Sequence, residues 1–313
     1  MAEFDTQGDE GVTRDAADPA AGGEGGWRIR EVAVRDLTFT VAERGVPGGR
    51  PVLLLHGFPQ THRAYDAVAA RLAASRAPLR LIAPDQRGYS PGARPADPSA
   101  YALPALAADI AGLLDACGIE HVDVVGHDWG AMVGWYLAAR YPERVRTLTA
   151  VSVPHPAAFA EALAQSPRQR KMSEYVQLFR DPEKAVGVLL EDGARRLRAL
   201  YHPLPDSVIE PHLSVLGEPD ALRAALNWYR AAKFGEGTSV PAIEAPVVFV
   251  WSTGDIAISR DAAERCVAYA AGPYRFVELE GVSHWIPDEA ADALVDVLPF
   301  PTSADHEPGR AAS

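Results

Sequence analysis

Cysteine is almost missing from this chain of 313 residues. Its two cysteines, Cys117 and Cys266, stand far apart and outside any Cys-x-x-Cys or Cys/His cluster. That excludes a disulfide framework and a zinc site and leaves buried, reduced thiols as the expectation. Positive charge is in deficit as well: 30 Lys and Arg against 42 Asp and Glu give a formal net charge of −12. A surface of that sign repels nucleic acid and anionic membranes, so a neutral small molecule is the easier partner. Long apolar runs are also lacking. No stretch approaches membrane-spanning length, and the opening MAEFDTQGDE is acidic where a signal peptide is basic and then apolar. A cytoplasmic protein that contacts no membrane is therefore expected. What is there, 48% hydrophobic and 23% charged residues, falls in the range of folded globular domains and speaks against a fibrous or wholly disordered chain.

Residues 1–26 hold Gly, Ala, Asp and Glu with little that is apolar, too little to offset the entropy of ordering, and are expected to be a disordered tail. From Trp27 the pattern changes. WRIREVAV and LTFTVAERG alternate apolar and polar residues around Arg35-Asp36, the mark of a hairpin. Further strands are expected at 52–57, 79–85, 122–128, 145–153, 245–251 and 274–280, mostly as continuous apolar runs suited to a sheet covered on both faces. Helical patterns at 65–75, 103–117, 131–140 and 261–269 alternate with them in the rhythm of a parallel sheet. Between 154 and 244 the rhythm stops, and three amphipathic helical stretches follow one another. The expected organisation is an α/β core at 27–153 and 245–300, a helical cap at 154–244 inserted into it, and a flexible end at 301–313.

One turn raises a chemical question. VVGHDWGAM runs from a strand through Gly126-His127-Asp128-Trp129-Gly130 into a helix. The spacing Gly-x-Asp-x-Gly repeats the G-x-S-x-G nucleophile elbow, where small flanking residues let a sharp turn push the central side chain above a sheet. Here the displayed group is a carboxylate. Taken alone the match is weak, because glycine-rich strand-to-helix turns often serve packing only. Two partners strengthen it. Asp255 in VFVWSTGD and His284 in LEGVSHW each follow an expected strand, where open α/β sheets hold their ligands, and the order is nucleophile, acid, histidine. His56-Gly57-Phe58-Pro59 after the strand at 52–57 adds the loop that would carry half of an oxyanion hole. Its donors would be the backbone N–H groups of Phe58 and Trp129, since Pro59 has none. A serine must lose a proton before it attacks, whereas an aspartate of ordinary pKa about 3.9 is already ionised and can displace a leaving group at saturated carbon. His284, oriented by Asp255, would then activate water against the resulting ester.

These residues resemble the soluble epoxide hydrolases of the α/β-hydrolase superfamily, over about Trp27 to Pro299. The resemblance implies a mostly parallel eight-stranded α/β-hydrolase sheet flanked by helices, with an inserted helical cap. It implies an epoxide opened to a vicinal diol through a covalent ester on Asp128, with a small apolar epoxide and water as partners and no metal or cofactor. It also implies that two cap tyrosines, Tyr175 in SEYVQLF and Tyr229 in LNWYR, hold the epoxide oxygen and supply its proton. Phe58, Trp129, Phe179 and Trp285 are expected to contact substrate. The sequence leaves the oligomeric state open, a homodimer included.

Four other readings stand beside this one. Haloalkane dehalogenases resemble the same motifs and use the same nucleophile, but Phe58 stands where they commonly place an Asn donor for halide. Fluoroacetate dehalogenases resemble HGFPQ and carry arginines after the nucleophile, where this chain has Trp129 and Met132. A non-catalytic binding protein on the same fold would have been free to lose Asp128, Asp255 or His284. A serine esterase lacks its hydroxyl. Asp123, Asp261 and Asp288 compete with Asp255 for the acid position, but none follows a strand end in the same way. Asp85-Gln86-Arg87-Gly88 is expected to brace turns. His127 is expected to point away from the nucleophile and is assigned no catalytic part.

Overall fold

A computed structural model describes residues 26–75, 77–233 and 240–300. The tails expected at 1–26 and 301–313 lie outside these residues, Gly26 apart. The first two strands, β1 (Arg28–Val34) and β2 (Leu37–Gly45), form the expected hairpin. Val34 pairs with Leu37 across a two-residue turn, in which Arg35 adopts φ 57°. The other six are β3 (Arg50–Leu55), β4 (Leu79–Pro84), β5 (Val122–His127), β6 (Val145–Val151), β7 (Val247–Ser252) and β8 (Tyr274–Leu279). The eight strands make one sheet in the order β1-β2-β4-β3-β5-β6-β7-β8. Only β2 runs against its neighbours. β5 and β7 are buried along their length, and β3 from Val52 on, because helices cover both faces, leaving no solvated side to pattern.

Helices α1 (Asp66–Ala74), α2 (Leu103–Ala116) and α3 (Trp129–Arg140) follow β3, β4 and β5 as the β-α rhythm requires. Six helices come between β6 and β7: α4 (Pro156–Gln165), α5 (Pro167–Met172), α6 (Tyr175–Phe179), α7 (Pro182–Leu200), α8 (Asp206–Leu216) and α9 (Pro219–Ala231). They form the cap. α8 was not among the expected stretches, and α7 is broken at Glu191–Ala194, where Asp192, Gly193 and Ala194 all take positive φ. The helix expected at 261–269 divides into α10 (Arg260–Glu264) and a 3₁₀ turn, Arg265–Tyr269. α11 (Ile286–Glu289) and α12 (Ala291–Val297) end the described chain. Among the described residues no helix is long and apolar enough to cross a membrane.

Cap and core are tied by hydrogen bonds as well as by apolar packing. The Trp228 indole on α9 donates to the Arg87 carbonyl (2.7 Å), the Tyr201 hydroxyl donates to the Pro59 carbonyl, and the Thr61 amide donates to His212 Nδ1 on α8 (3.1 Å). The loop at Asp85–Gly88 braces as expected, with Arg87 bound in a fork to Asp109 at 2.6 Å on each arm. The thiols divide. Cys266 is buried, but Cys117 is only half-buried, beneath Arg30, so its expected burial is corrected.

Candidate active site

Strand ends bring the expected residues together. β5 closes on His127, and Asp128 makes the turn with φ 52° and ψ −120°, a conformation that costs a residue with a Cβ on the order of 1–3 kcal/mol. The turn is tight enough that a Cβ on Gly130 would lie 1.9 Å from the Leu55 carbonyl oxygen. The result is a buried carboxylate, 8% exposed, above the middle of the sheet. Its Oδ1 accepts the Phe58 amide at 2.8 Å, and the Trp129 amide also bonds the carboxylate. Its Oδ2 lies 3.6 Å from His284 Nε2. The other ring nitrogen, Nδ1, is 2.8 Å from Asp255 Oδ2, while Asp255 Oδ1 accepts the amides of Ala257 (2.7 Å) and Ile258 (2.9 Å). The competing acids are engaged elsewhere: Asp123 with Arg50, Asp261 with Ser166, Asp288 with Gln60.

The charges follow from burial and proximity. Burial opposes ionisation of Asp128, but His284, His127 and the Trp129 amide outweigh it and hold the carboxyl below its ordinary value. Burial likewise opposes a charge on His284, and the carboxylates of Asp255 and Asp128 overcome it, carrying the imidazole up to about 10. Burial drives both cap phenols the other way. Tyr229 is held well above its usual value by desolvation, then by Tyr175 and Asp128, and Tyr175 is raised by burial, then by Asp128 and Asp255. An anion therefore faces two phenols that keep their protons.

Asp128, Trp129, Tyr175 and Tyr229 line one cavity. Its remaining lining is apolar: Met132, Val153, Phe159, Val176, Ala257 and Ile258. Tyr229 is buried, with the Trp129 side chain hydrogen-bonded to its hydroxyl. Tyr175 keeps 38% of its surface exposed while its phenol reaches hydrogen-bonding range of Tyr229, so its ring forms part of the lip. Three expected substrate contacts lie elsewhere. Phe58 and Phe179 are absent from the lining and pack behind Tyr229, with ring centroids 5.4 and 5.1 Å from it. Trp285 is also absent from the lining; it stacks on Tyr201 at 5.7 Å and meets His284 edge to face at 5.1 Å.

A carboxylate with one oxygen held by a backbone amide and the other near a histidine can attack carbon, and a histidine held by an acid can take a proton from water. Known proteins resemble this chain. The model of the alpha/beta hydrolase fold family matches residues 50–291. "Epoxide hydrolase A" of Mycobacterium tuberculosis is 31% identical over 86% of this chain and 96% of its own. The chain belongs to the epoxide hydrolase family of the α/β-hydrolase fold.

Other relatives of the hydrolase include "AB hydrolase superfamily protein YfhM" of Bacillus subtilis, 31% identical over 87% of this chain and 96% of that one. A solved structure described as one of the novel epoxide hydrolases from metagenomes of hot environments superposes with a TM-score of 0.76 at 29% identity, covering 85% of this chain and 95% of its own. In the hydrolase the contacts of two residues beside the site escaped the sequence. His127 does turn from the cavity, but its Nε2–H donates to the His284 carbonyl (2.9 Å), and burial, then His284, lowers its pKa to about 4 and keeps it neutral. The Ser152 hydroxyl donates to the same carbonyl at 2.9 Å. Position offered one signal for them, since both sit at the C-terminal ends of central strands. The apolar lining carries no motif at all.

Proposed function

We propose that this hydrolase converts an epoxide to a vicinal diol through an ester on Asp128. The observation that carries the reading is the pairing, across one apolar cavity, of an ionised carboxylate with two protonated phenols. In the first step Asp128 Oδ2 attacks a ring carbon, the C–O bond breaks, and its electron pair goes to the epoxide oxygen. Tyr229 or Tyr175 delivers the proton that this strongly basic alkoxide demands. Oδ1 stays in the grip of the Phe58 amide, with the Trp129 amide also on the carboxyl group, and becomes the ester carbonyl oxygen.

Esterification removes one of the two negative charges that hold the proton on His284. Its pKa falls, the proton returns to the phenolate, and the neutral imidazole, still oriented by Asp255, takes a proton from water. Hydroxide adds to the ester carbon. The oxyanion forms on Oδ1, where each amide donor contributes roughly 2.7–4 kcal/mol to lowering the barrier. Collapse expels the diol oxygen with the proton from His284, and the regenerated carboxyl returns a proton to the imidazole. Every bond and proton is restored.

Release of halide from a haloalkane is the rival use of the same nucleophile. It needs N–H donors and no proton, but the Trp129 side chain is already hydrogen-bonded to Tyr229. Incubation with styrene oxide and, separately, 1-bromobutane tests the choice. Diol from the epoxide without bromide from the haloalkane is expected; bromide without diol would transfer the assignment to dehalogenase, and neither product would point to a binding protein.

A further inference from the structure

We infer that His127, Ser152 and Ser252 are positioning residues for the general base: together they fix the main chain that carries His284, and their loss slows hydrolysis of the ester far more than its formation. The assignment rests on the ester reading and deepens it. His284 has a sheet to cross. It follows β8, at the edge, yet acts on Asp128 at the end of β5, three strands inward. At about 4.8 Å per strand that is a span of roughly 14 Å. Residues 280–285, which cover it, belong to no helix or strand. No ladder holds their peptide groups, and buried backbone polar groups need partners from elsewhere.

Side chains at the ends of the crossed strands supply them. Thr253 Oγ1, just past β7, accepts the Gly281 amide at 2.8 Å. The Ser252 hydroxyl, at the end of β7, donates to the Ser283 carbonyl at 2.9 Å. The hydroxyl of Ser152, just past β6, and Nε2 of His127, the last residue of β5, both donate to the His284 carbonyl at 2.9 Å. That carbonyl also accepts the Ile286 amide (3.0 Å) within its own turn. All three side-chain donors are buried. Two further observations set them apart from packing. Ser152 holds φ 65°, a left-handed conformation unfavourable to a residue with a Cβ, and strain of this kind collects at functional sites. His127 Nδ1 has no hydrogen-bond partner among the described residues, so the ring is tied through Nε2 to His284, whose imidazole it also meets at 4.9 Å. Asp255 grips Nδ1 of His284 and fixes how the imidazole turns; the three donors fix where its main chain lies.

The second step is the one that depends on this placement. Asp128 attacks already ionised, without a proton acceptor, whereas hydrolysis needs the imidazole within hydrogen-bond reach of a water that must itself reach the ester carbon. A displacement of about 1 Å there can cost about 10²-fold. Rapid mixing with excess styrene oxide, acid quench and intact-mass analysis read the growth and decay of the ester separately, with His284→Gln as the reference in which it persists. Glycine is at ease at positive φ, so Ser152→Gly removes the hydroxyl without straining the turn. It should slow ester decay about tenfold and leave ester growth within about twofold. His127→Leu should do the same, and the two together should approach about 10²-fold. Ser252→Ala, one peptide further from the imidazole, should act in the same direction by less. His127→Gln, whose amide keeps a donor near the place of Nε2, should recover most of the rate lost in His127→Leu. Wild-type decay in the folded Ser152→Gly and His127→Leu variants, or equal losses in both steps, would overturn the assignment while leaving the ester reading intact. No adduct in His284→Gln would overturn both.

Discussion

Asp128 is held by opposing demands. Its positive φ strains the backbone and its burial disfavours charge, while Phe58, Trp129 and His284 recover what is lost by bonding the ionised form. The phenols opposite are pushed toward neutrality. The sign of the pH dependence follows. Asp128 titrates below the ordinary carboxylate range and the tyrosines above the ordinary phenol range, so neither changes state between about pH 5 and about pH 9. Ester formation should be flat across that window. Ester hydrolysis should instead rise with pH, because His284 must be neutral to act, and its pKa in the ester lies below the value near 10 that two carboxylates impose. Rapid-quench measurements of the two steps should separate these profiles. Tyr229→Phe should slow ester formation on the order of 10²-fold and leave the hydrolysis rate within about twofold. Asp128, Asp255 and His284 were legible in the sequence because each follows an apolar strand. Phe179 and Trp285 were legible as aromatic, but their absence from the cavity lining was not, since a ring's direction depends on helix contacts that no local pattern records.

The elements place these residues, and close backbone approach is where they tolerate least. A Cβ on Gly57 would fall 2.2 Å from Asp128 Oδ1, inside the carboxylate rather than beside it. Gly57→Ala should therefore displace either the loop that carries the Phe58 amide or the nucleophile itself. A loss of roughly 10²-fold or more in kcat is expected, with stability lowered by about 1–3 kcal/mol by denaturant titration. A variant with normal turnover would show that the Phe58 amide is not a working donor. At this scale the eight strands could be read directly, the first two from their alternation of apolar and polar residues and the others mostly as the apolar runs of a sheet covered on both faces. α8 could not, because Pro211 lies inside it and DSVIEP reads locally as a turn; the neighbours that hold it, through His212 and Thr61, are far away in sequence. The break in α7 was missed although Asp192-Gly193, a turn-forming pair, lies within it.

For the molecule as a whole, the acid that the chemistry leaves unused has a thermodynamic consequence. Asp288 lies one turn after His284, bonded to Gln60 at 2.8 Å, and burial, against that bond, lifts its carboxyl to about 7. The unfolded chain releases this proton near the ordinary value and the folded one keeps it, so stability falls as pH rises between those values and stays reduced above about 7. Asp288→Asn should remove a penalty on the order of 2–4 kcal/mol at about pH 8 and much less at about pH 5, which thermal unfolding at the two pH values would check. The alternation of strands and helices, and its interruption between β6 and β7, made the cap-on-core architecture legible. The bonds that lock the two together, from Trp228 to Arg87 and from Tyr201 to Pro59, join residues about 140 positions apart and left no trace in any short window. The proposal that unites these scales is that Asp128 is esterified by its substrate and regenerated by water. A single turnover of excess enzyme with styrene oxide in ¹⁸O-labelled water, followed by mass analysis of the peptide bearing Asp128 and of the diol, tests it most directly. The account predicts the label in the Asp128 carboxyl and an unlabelled first diol; a labelled diol with an unlabelled Asp128 would contradict it.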